Sequence, residues 1–222
     1  MAKNPKISIV GAGPGSAEYV TPIAKQTVQN ADIVIGAERV LNLFADDIKG
    51  ESIKLTAKNI NATLNQAIEF TREGKKVVIL STGDPGFAGL LKTFSKITDG
   101  QNVEVNVIPG ISSVQVCAAR LQLSWDEVRL FSFHEGIKPK KKNELATAVK
   151  DGFTVMLLPD SKSFSPAEVA KFLMNEGVSS RTQVFVCENL ALNNERIVKG
   201  TLGEVSSENF SPLCVMVIKP NP

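Results

Sequence analysis

The sequence predicts an α/β protein of two domains, each built on a mostly parallel or mixed sheet. Three observations predict it. Short β-branched runs alternate with helical patterns along all 222 residues. Three glycine-bearing loops directly follow three strands of the first half, and the texture of the chain changes near its middle. Strand–helix alternation is the signature of a sheet whose faces are covered by crossover helices.

Residues 6–10, Lys-Ile-Ser-Ile-Val, read as a buried strand that stops at Gly11-Ala12-Gly13-Pro14-Gly15. A helix follows over about 21–30. It begins at Pro22, because proline is tolerated in the first helical turn, where an N–H has no partner to lose. Residues 32–36 form a second short strand ended by Gly36. Over 61–72, Leu64, Ala67, Ile68 and Thr71 recur at helical spacing until Gly74. Residues 76–80 are a compact β-branched strand, and the turn-rich Ser81-Thr82-Gly83-Asp84-Pro85-Gly86 comes straight after it. Residues 87–97 show a helical pattern with Leu90, Leu91 and Phe94 on one face. Residues 103–108 are a strand broken by Pro109-Gly110, and Ser112 opens a helix to about 121.

The only tryptophan, Trp125, the only histidine, His134, and the run Lys138-Pro139-Lys140-Lys141-Lys142 all fall in 123–142. The domain boundary is therefore expected near Ser124 to Asp126, with domains over 1–123 and 124–222. The second half offers strands near 128–133, 154–158, 183–187 and 213–219. Its clearest helix covers 167–176: Ser165 and Glu168 have capping-box spacing, Pro166 takes the first helical position and Gly177 closes the end.

Composition narrows the function classes. Hydrophobic residues make up 43% and charged residues 22%, an ordinary globular balance that excludes a disordered or fibrous chain. The longest apolar run, 213–218, is far below the ~20 residues a membrane-spanning helix needs. No apolar signal-peptide core follows Met1, and Cys117, Cys187 and Cys214 have no CxxC spacing. A cytoplasmic chain with reduced thiols is expected. Twenty-five basic against 23 acidic residues leave a net charge of +2, so no nucleic-acid partner is demanded. A single histidine excludes a multi-histidine metal site, and no protein-held metal is expected.

In an open α/β sheet, ligands bind beyond the carboxyl ends of the strands. The loops at 11–15, 83–89 and 109–113 therefore form a candidate ligand floor, against the plainer reading that their glycines only make tight turns. The first loop also invites a dinucleotide reading, in which Asp32 is the ribose-binding acid of an NAD-dependent oxidoreductase. Its third glycine would fall on Ser16, so the fingerprint is incomplete.

Together, Gly11-Ala12-Gly13-Pro14-Gly15, Ser81-Thr82-Gly83-Asp84-Pro85-Gly86-Phe87-Ala88-Gly89 and Pro109-Gly110-Ile111-Ser112-Ser113-Val114-Gln115 resemble the tetrapyrrole (corrin/porphyrin) methylases. The resemblance runs from Ile7 to Ile218. Leu123-Ser124-Trp125-Asp126-Glu127, Ser132-Phe133-His134, Cys187-Glu188-Asn189-Leu190 and Arg196-Ile197-Val198-Lys199-Gly200-Thr201-Leu202 match best the branch that methylates carbon 5 of a precorrin. Glu135 is a departure, since relatives run His-Gly directly.

The resemblance implies two α/β domains with S-adenosylmethionine in the cleft between them. It further implies methyl transfer to carbon 5 of cobalt-precorrin-7, S-adenosylhomocysteine as product and a homodimer. A separate carbon-15 methyltransferase/decarboxylase would act on the same pathway, because the chain stops at Pro222. The implied cofactor contacts are Pro14, Gly83, Asp84, Phe87, Ser112, Ser113, Leu158 and Leu190. The implied substrate contacts are Gly11, Gly13, Arg39 and Arg120.

Plainer readings stand beside these. Asp84 before Pro85 forms turns, and Ser112 and Ser113 cap helices. Leu158 and Leu190 fit ordinary core positions. Residues 138–142 read either as a solvated face or as an attraction for the carboxylate arms of a tetrapyrrole. His134 is the candidate base, although methyl transfer from a sulfonium needs alignment and water exclusion more than a strong base. Other tetrapyrrole methylases, acting on uroporphyrinogen or another corrin carbon, and a non-catalytic nucleotide sensor remain as rivals.

Overall fold

The computed structural model describes residues 6–134 and 136–220, and Glu135 lies outside the described residues. The chain divides into two compact units, 1–112 and 113–222.

In the first unit, five strands, β1 (Lys6–Gly11), β2 (Ile33–Gly36), β3 (Glu51–Lys54), β4 (Val77–Ser81) and β5 (Glu104–Ile108), lie in the order β3-β2-β4-β1-β5. Every pairing is parallel. Side chains alternate between the faces as the two-residue period of a strand requires. Val10, Val34, Val78 and Leu80 pack with Ala24 and Val28 of α1 (Pro22–Gln29) and Val40 of α2 (Glu38–Leu43). Ile7, Ile9, Ile33, Ile35 and Ile79 pack on the other face with Leu64, Ala67 and Ile68 of α3 (Ile60–Arg72) and Phe94 of α4 (Leu91–Thr98). The chain therefore leaves the adjacent strands β1 and β4 toward opposite faces. Such a switch point opens a crevice at the carboxyl edge of the sheet.

The second unit begins with α5 (Ser113–Arg120). Its strands are β6 (Arg129–Ser132), β7 (Val155–Leu158), β8 (Gln183–Glu188), β9 (Arg196–Thr201) and β10 (Cys214–Lys219), in the order β6-β7-β10-β8-β9. Only β6 and β7 run parallel; β10 is antiparallel to both β7 and β8, and β9 is antiparallel to β8. One face carries Val155, Leu157, Val184, Val186, Met216 and Ile218. It packs with Leu145, Ala146 and Val149 of α6 (Pro139–Lys150), Val169, Ala170 and Leu173 of α7 (Pro166–Asn175), and Leu202 and Val205 of α8 (Leu202–Val205). By alternation Met156, Leu158, Cys187, Val215 and Val217 lie on the opposite face, and α5 packs against β10.

Several expectations shift. The division into compact units falls one helix before Ser124, so α5 belongs to the second unit, where it packs against β10. The helix expected from Phe87 starts only at Leu91, because residues 85–90 remain a turn in which Leu90 N–H donates to Ser81 Oγ at 3.2 Å. The second sheet contains β9, which alternates too weakly in polarity to stand out in the sequence. Ser165 caps α7 by accepting from Glu168 N–H, while the reciprocal capping box forms instead at α8, between Thr201 and Glu204.

The first three loops meet backbone to backbone. A Cβ on Gly11 would lie 2.4 Å from Gly110 N and 2.8 Å from Gly83 O, and one on Gly110 would lie 2.4 Å from Gly83 O. Only glycine fits where the neighbours are backbone that cannot rotate away. Gly11→Ala is therefore expected to lose about 1–3 kcal/mol or more, the usual range for overpacking. A denaturant midpoint unchanged from the parent protein would contradict this contact.

Candidate active site

The carboxyl edge of the first sheet gathers most of the expected ligand residues. Ala12 N–H donates to Ser81 O at 2.8 Å, Gly83 N–H to Gly13 O at 2.8 Å and Gly13 N–H to Gly83 O at 3.3 Å, which stitches the first loop to the second. Asp84 stitches the second to itself and to the third. Its Oδ1 accepts from Gly86 N–H at 2.8 Å and its Oδ2 from Gly110 N–H at 3.1 Å. A carboxylate has about four acceptor positions, so capacity remains on both oxygens.

Gly11, Gly13, Pro14, Gly83 and Ser112 are buried in this floor, and Asp84 and Phe87 are half-buried on it. Gly83 has φ +66°, a conformation that glycine adopts without a Cβ clash. A methyl there would still have room, 3.7 Å from Ser112 Cα. Arg39 lies in the first turn of α2, which follows β2 at the same sheet edge. It is exposed and makes no ion pair among the described residues.

The dinucleotide reading fails on Asp32. This residue precedes β2, at the amino edge of the sheet, where its N–H donates to Lys76 O at 2.9 Å and its Oδ2 accepts from Lys76 N–H at 2.7 Å. A ribose-binding acid belongs at the carboxyl edge, beside the loops.

In the second unit, Ser113 is half-buried at the start of α5. Leu158 and Leu190 are buried at 6% and 5% exposure, yet neither belongs to the core beneath α6, α7 and α8. Arg120 is engaged in an ion pair. Its Nε donates to Glu195 Oε1 at 2.7 Å and its Nη2 to Oε2 at 3.4 Å. This pair, which holds the Glu195 carboxyl below its ordinary range, escaped the sequence analysis because 75 positions separate its partners.

A second carboxylate escaped for the same reason. Glu188 is 4% exposed and accepts from Arg196 Nε and from Ser211 N–H. Its only local signal is an acid inside an otherwise apolar strand.

The lysine run divides on folding. Lys141 donates to the Ser132 carbonyl and lies over the Phe133 ring. Lys142 sits 4.7 Å from the Phe164 ring centre and 4.1 Å from that of Phe172, while Lys138 and Lys140 are exposed. Cation–π contact removes Lys141 and Lys142 from a freely solvated face. Among the described residues, no group of three or more His, Cys, Asp and Glu side chains is arranged to hold a metal ion, and no helix is long and apolar enough to cross a membrane. All three cysteines are free and buried; burial, first of all, pushes the Cys214 thiol up to about 12.

His134 stands just past β6, with Asp160 and the Pro159 carbonyl beside its ring. Although the residue as a whole is exposed, desolvation of the ring outweighs both partners and holds its pKa below the ordinary 6.5.

The family model of the Tetrapyrrole (Corrin/Porphyrin) Methylases matches residues 6–206. A protein of Methanocaldococcus jannaschii named probable cobalt-precorrin-7 C(5)-methyltransferase is 41% identical over 212 residues, covering 95% of this chain and 96% of that one. The crystal structure of a cobalamin-biosynthesis precorrin-6Y methylase from Archaeoglobus fulgidus superposes with a TM-score of 0.74 at 27% identity, covering 97% of this chain and 98% of that one. A uroporphyrin-III C-methyl transferase from Thermus thermophilus, complexed with S-adenosylhomocysteine, shares the fold with a TM-score of 0.77 at 23% identity, over 96% and 92% of the two chains.

The pKa of His134 sets a testable sign. With the folded value below the unfolded one, stability from this group is complete above pH ~6.5 and declines as pH falls through that value toward the folded pKa. Between pH 7.5 and 5.5, the wild-type melting temperature should drop more than that of His134→Asn. Parallel drops would show that the ring is not desolvated.

Proposed function

The chain belongs to the tetrapyrrole (corrin/porphyrin) methylases, and on that premise we propose that it methylates carbon 5 of cobalt-precorrin-7 in cobalamin biosynthesis. S-adenosylmethionine is the methyl donor and S-adenosylhomocysteine the product. The observation that carries the choice of carbon is the 41% identity, end to end, to a relative named for that reaction.

The floor of the first unit fits the cofactor. Gly11 and Gly110 leave bare backbone where any Cβ would fill the space, and Gly83 supplies a left-handed turn beside them. When bound, S-adenosylmethionine supplies an electrophilic methyl group on a sulfonium. Pro14, Gly83, Asp84, Phe87 and Ser112 are the proposed contacts from this floor. Its backbone groups are already fixed by the stitching of the three loops, so little reorganisation accompanies binding. Ser113, Leu158 and Leu190 are the second unit's proposed contacts, the two leucines providing apolar surface that excludes water from a developing methyl transfer.

Gly11, Gly13 and Arg39, which makes no ion pair among the described residues, are proposed to face the substrate. A guanidinium suits its carboxylate arms because it pairs with them bidentately. Arg120 is withdrawn from this set, since Glu195 already occupies its fork. His134 is not assigned as base: the pyrrolic macrocycle supplies its own electron density at carbon, and orientation does the remaining work. The proposal extends to a cytoplasmic homodimer, with a separate carbon-15 methyltransferase/decarboxylase acting on the same pathway.

S-adenosylhomocysteine should raise the melting temperature in a concentration-dependent way, as a ligand specific to the native state must. NADH should leave it unchanged, and the reverse pattern would refute the methylase reading. Incubation with cobalt-precorrin-7 and S-adenosylmethionine should add one methyl, read by mass spectrometry, with carbon 5 assigned by NMR of the product. His134→Asn should lose less than ~tenfold in single-turnover rate. General-base catalysis contributes ~10²- to 10⁴-fold, so a loss of that size with intact affinities would make His134 the base.

A further inference from the structure

The loop after β8 is held far more firmly than a hairpin connection requires. Leu190 lies between two residues with left-handed backbone, Asn189 at φ 50° and Ala191 at φ 65°. Asparagine tolerates that region through local hydrogen bonds, and here its Oδ1 accepts from Ser211 Oγ at 2.9 Å. Alanine has no such help, so its conformation persists only where the surroundings impose it.

Glu195 imposes it. Its Oε2 accepts from the Ala191 N–H at 2.7 Å, while the same carboxylate is gripped by the guanidinium of Arg120. Arg120 is the last residue of α5, whose first residue is Ser113. α5 packs against β10 and is tied at its end to the β8–β9 loop.

We propose that Arg120 and Glu195 are positioning residues for the cofactor, locking Ala191 in its left-handed conformation so that Leu190 is held where the cofactor meets it. The inference rests on the proposed function, in which Ser113 and Leu190 both contact S-adenosylmethionine. α5 is then a strut that carries one contact at its start and sets the other from its end. A purely architectural hairpin would instead use the pair for stability alone.

The test compares S-adenosylhomocysteine affinity, by calorimetry, with the melting temperature of the unliganded full chain. Glu195→Gln keeps the shape and removes the charge. It should weaken S-adenosylhomocysteine by about tenfold, the size expected when one strained backbone loses its support, and raise KM for S-adenosylmethionine more than it lowers kcat. Adding Ala191→Gly should recover most of the lost affinity, because glycine reaches positive φ without support. Arg120→Lys, a milder change that serves if Glu195→Gln folds poorly, should show a smaller loss in the same direction. Affinity within twofold of wild type in either folded variant, with only the melting temperature lowered, would overturn the proposal. Failure of the wild-type protein itself to bind S-adenosylhomocysteine would instead refute the cofactor reading beneath it.

Discussion

Three peptide chains cross at the carboxyl edge of the first sheet with no side chain between them. Gly11, Gly83 and Gly110 approach so closely that a carbon added to Gly11 or Gly110 would meet backbone of the neighbouring loops at 2.4–2.8 Å. Much of the geometry at this edge depends on this contact. It allows the hydrogen bonds between Ala12 and Ser81 and between Gly13 and Gly83, and it brings Gly110 within reach of Asp84. Because β1 and β4 send the chain to opposite faces, the crevice they leave is floored by this bare backbone rather than by side chains. A floor of fixed amides and carbonyls approaches a ligand closely and cannot rearrange to avoid it.

The second unit solves the equivalent problem with charge. Glu188 and Glu195 bracket the loop that contains Leu190, and each accepts one backbone N–H and one guanidinium. An ionised carboxylate held in this way is worth more than an exposed ion pair, since its oxygens also satisfy backbone donors that water would otherwise need to reach. Arg120 therefore reads as part of the scaffold. The aromatic contacts of Lys141 and Lys142 have the same character: cations that look free in the sequence become part of the packing around Phe133, Phe164 and Phe172.

Elements with a strong internal period were legible. The apolar positions of α3 at Leu64, Ala67, Ile68 and Thr71 are all buried, Pro22 opens α1, and β1, β4 and β10 lie within a residue of where their β-branched runs place them. Elements that depend on distant partners were not. The start of α4 is delayed because Leu90 N–H is drawn to Ser81 across the loop, and β9 exists because β8 offers it an edge. Asp32 matched a ribose-binding acid by spacing alone, and spacing along the chain does not say at which edge of a sheet a residue lies.

By itself the sequence determined the α/β class, the three glycine loops and the family, because each is written in local signals: periodicity, glycine and proline placement, and contiguous motifs. Tertiary structure alone decided which charges are available. Arg39 and Arg120 are equivalent as letters, yet one has no ion-pair partner among the described residues and the other is bound to a carboxylate 75 positions away. It also decided that the glycines of three separate loops are one contact. The physical reason is common to both: hydrogen bonds, ion pairs and steric exclusion act over a few ångströms of space, and only the folded chain brings these distant positions within that range.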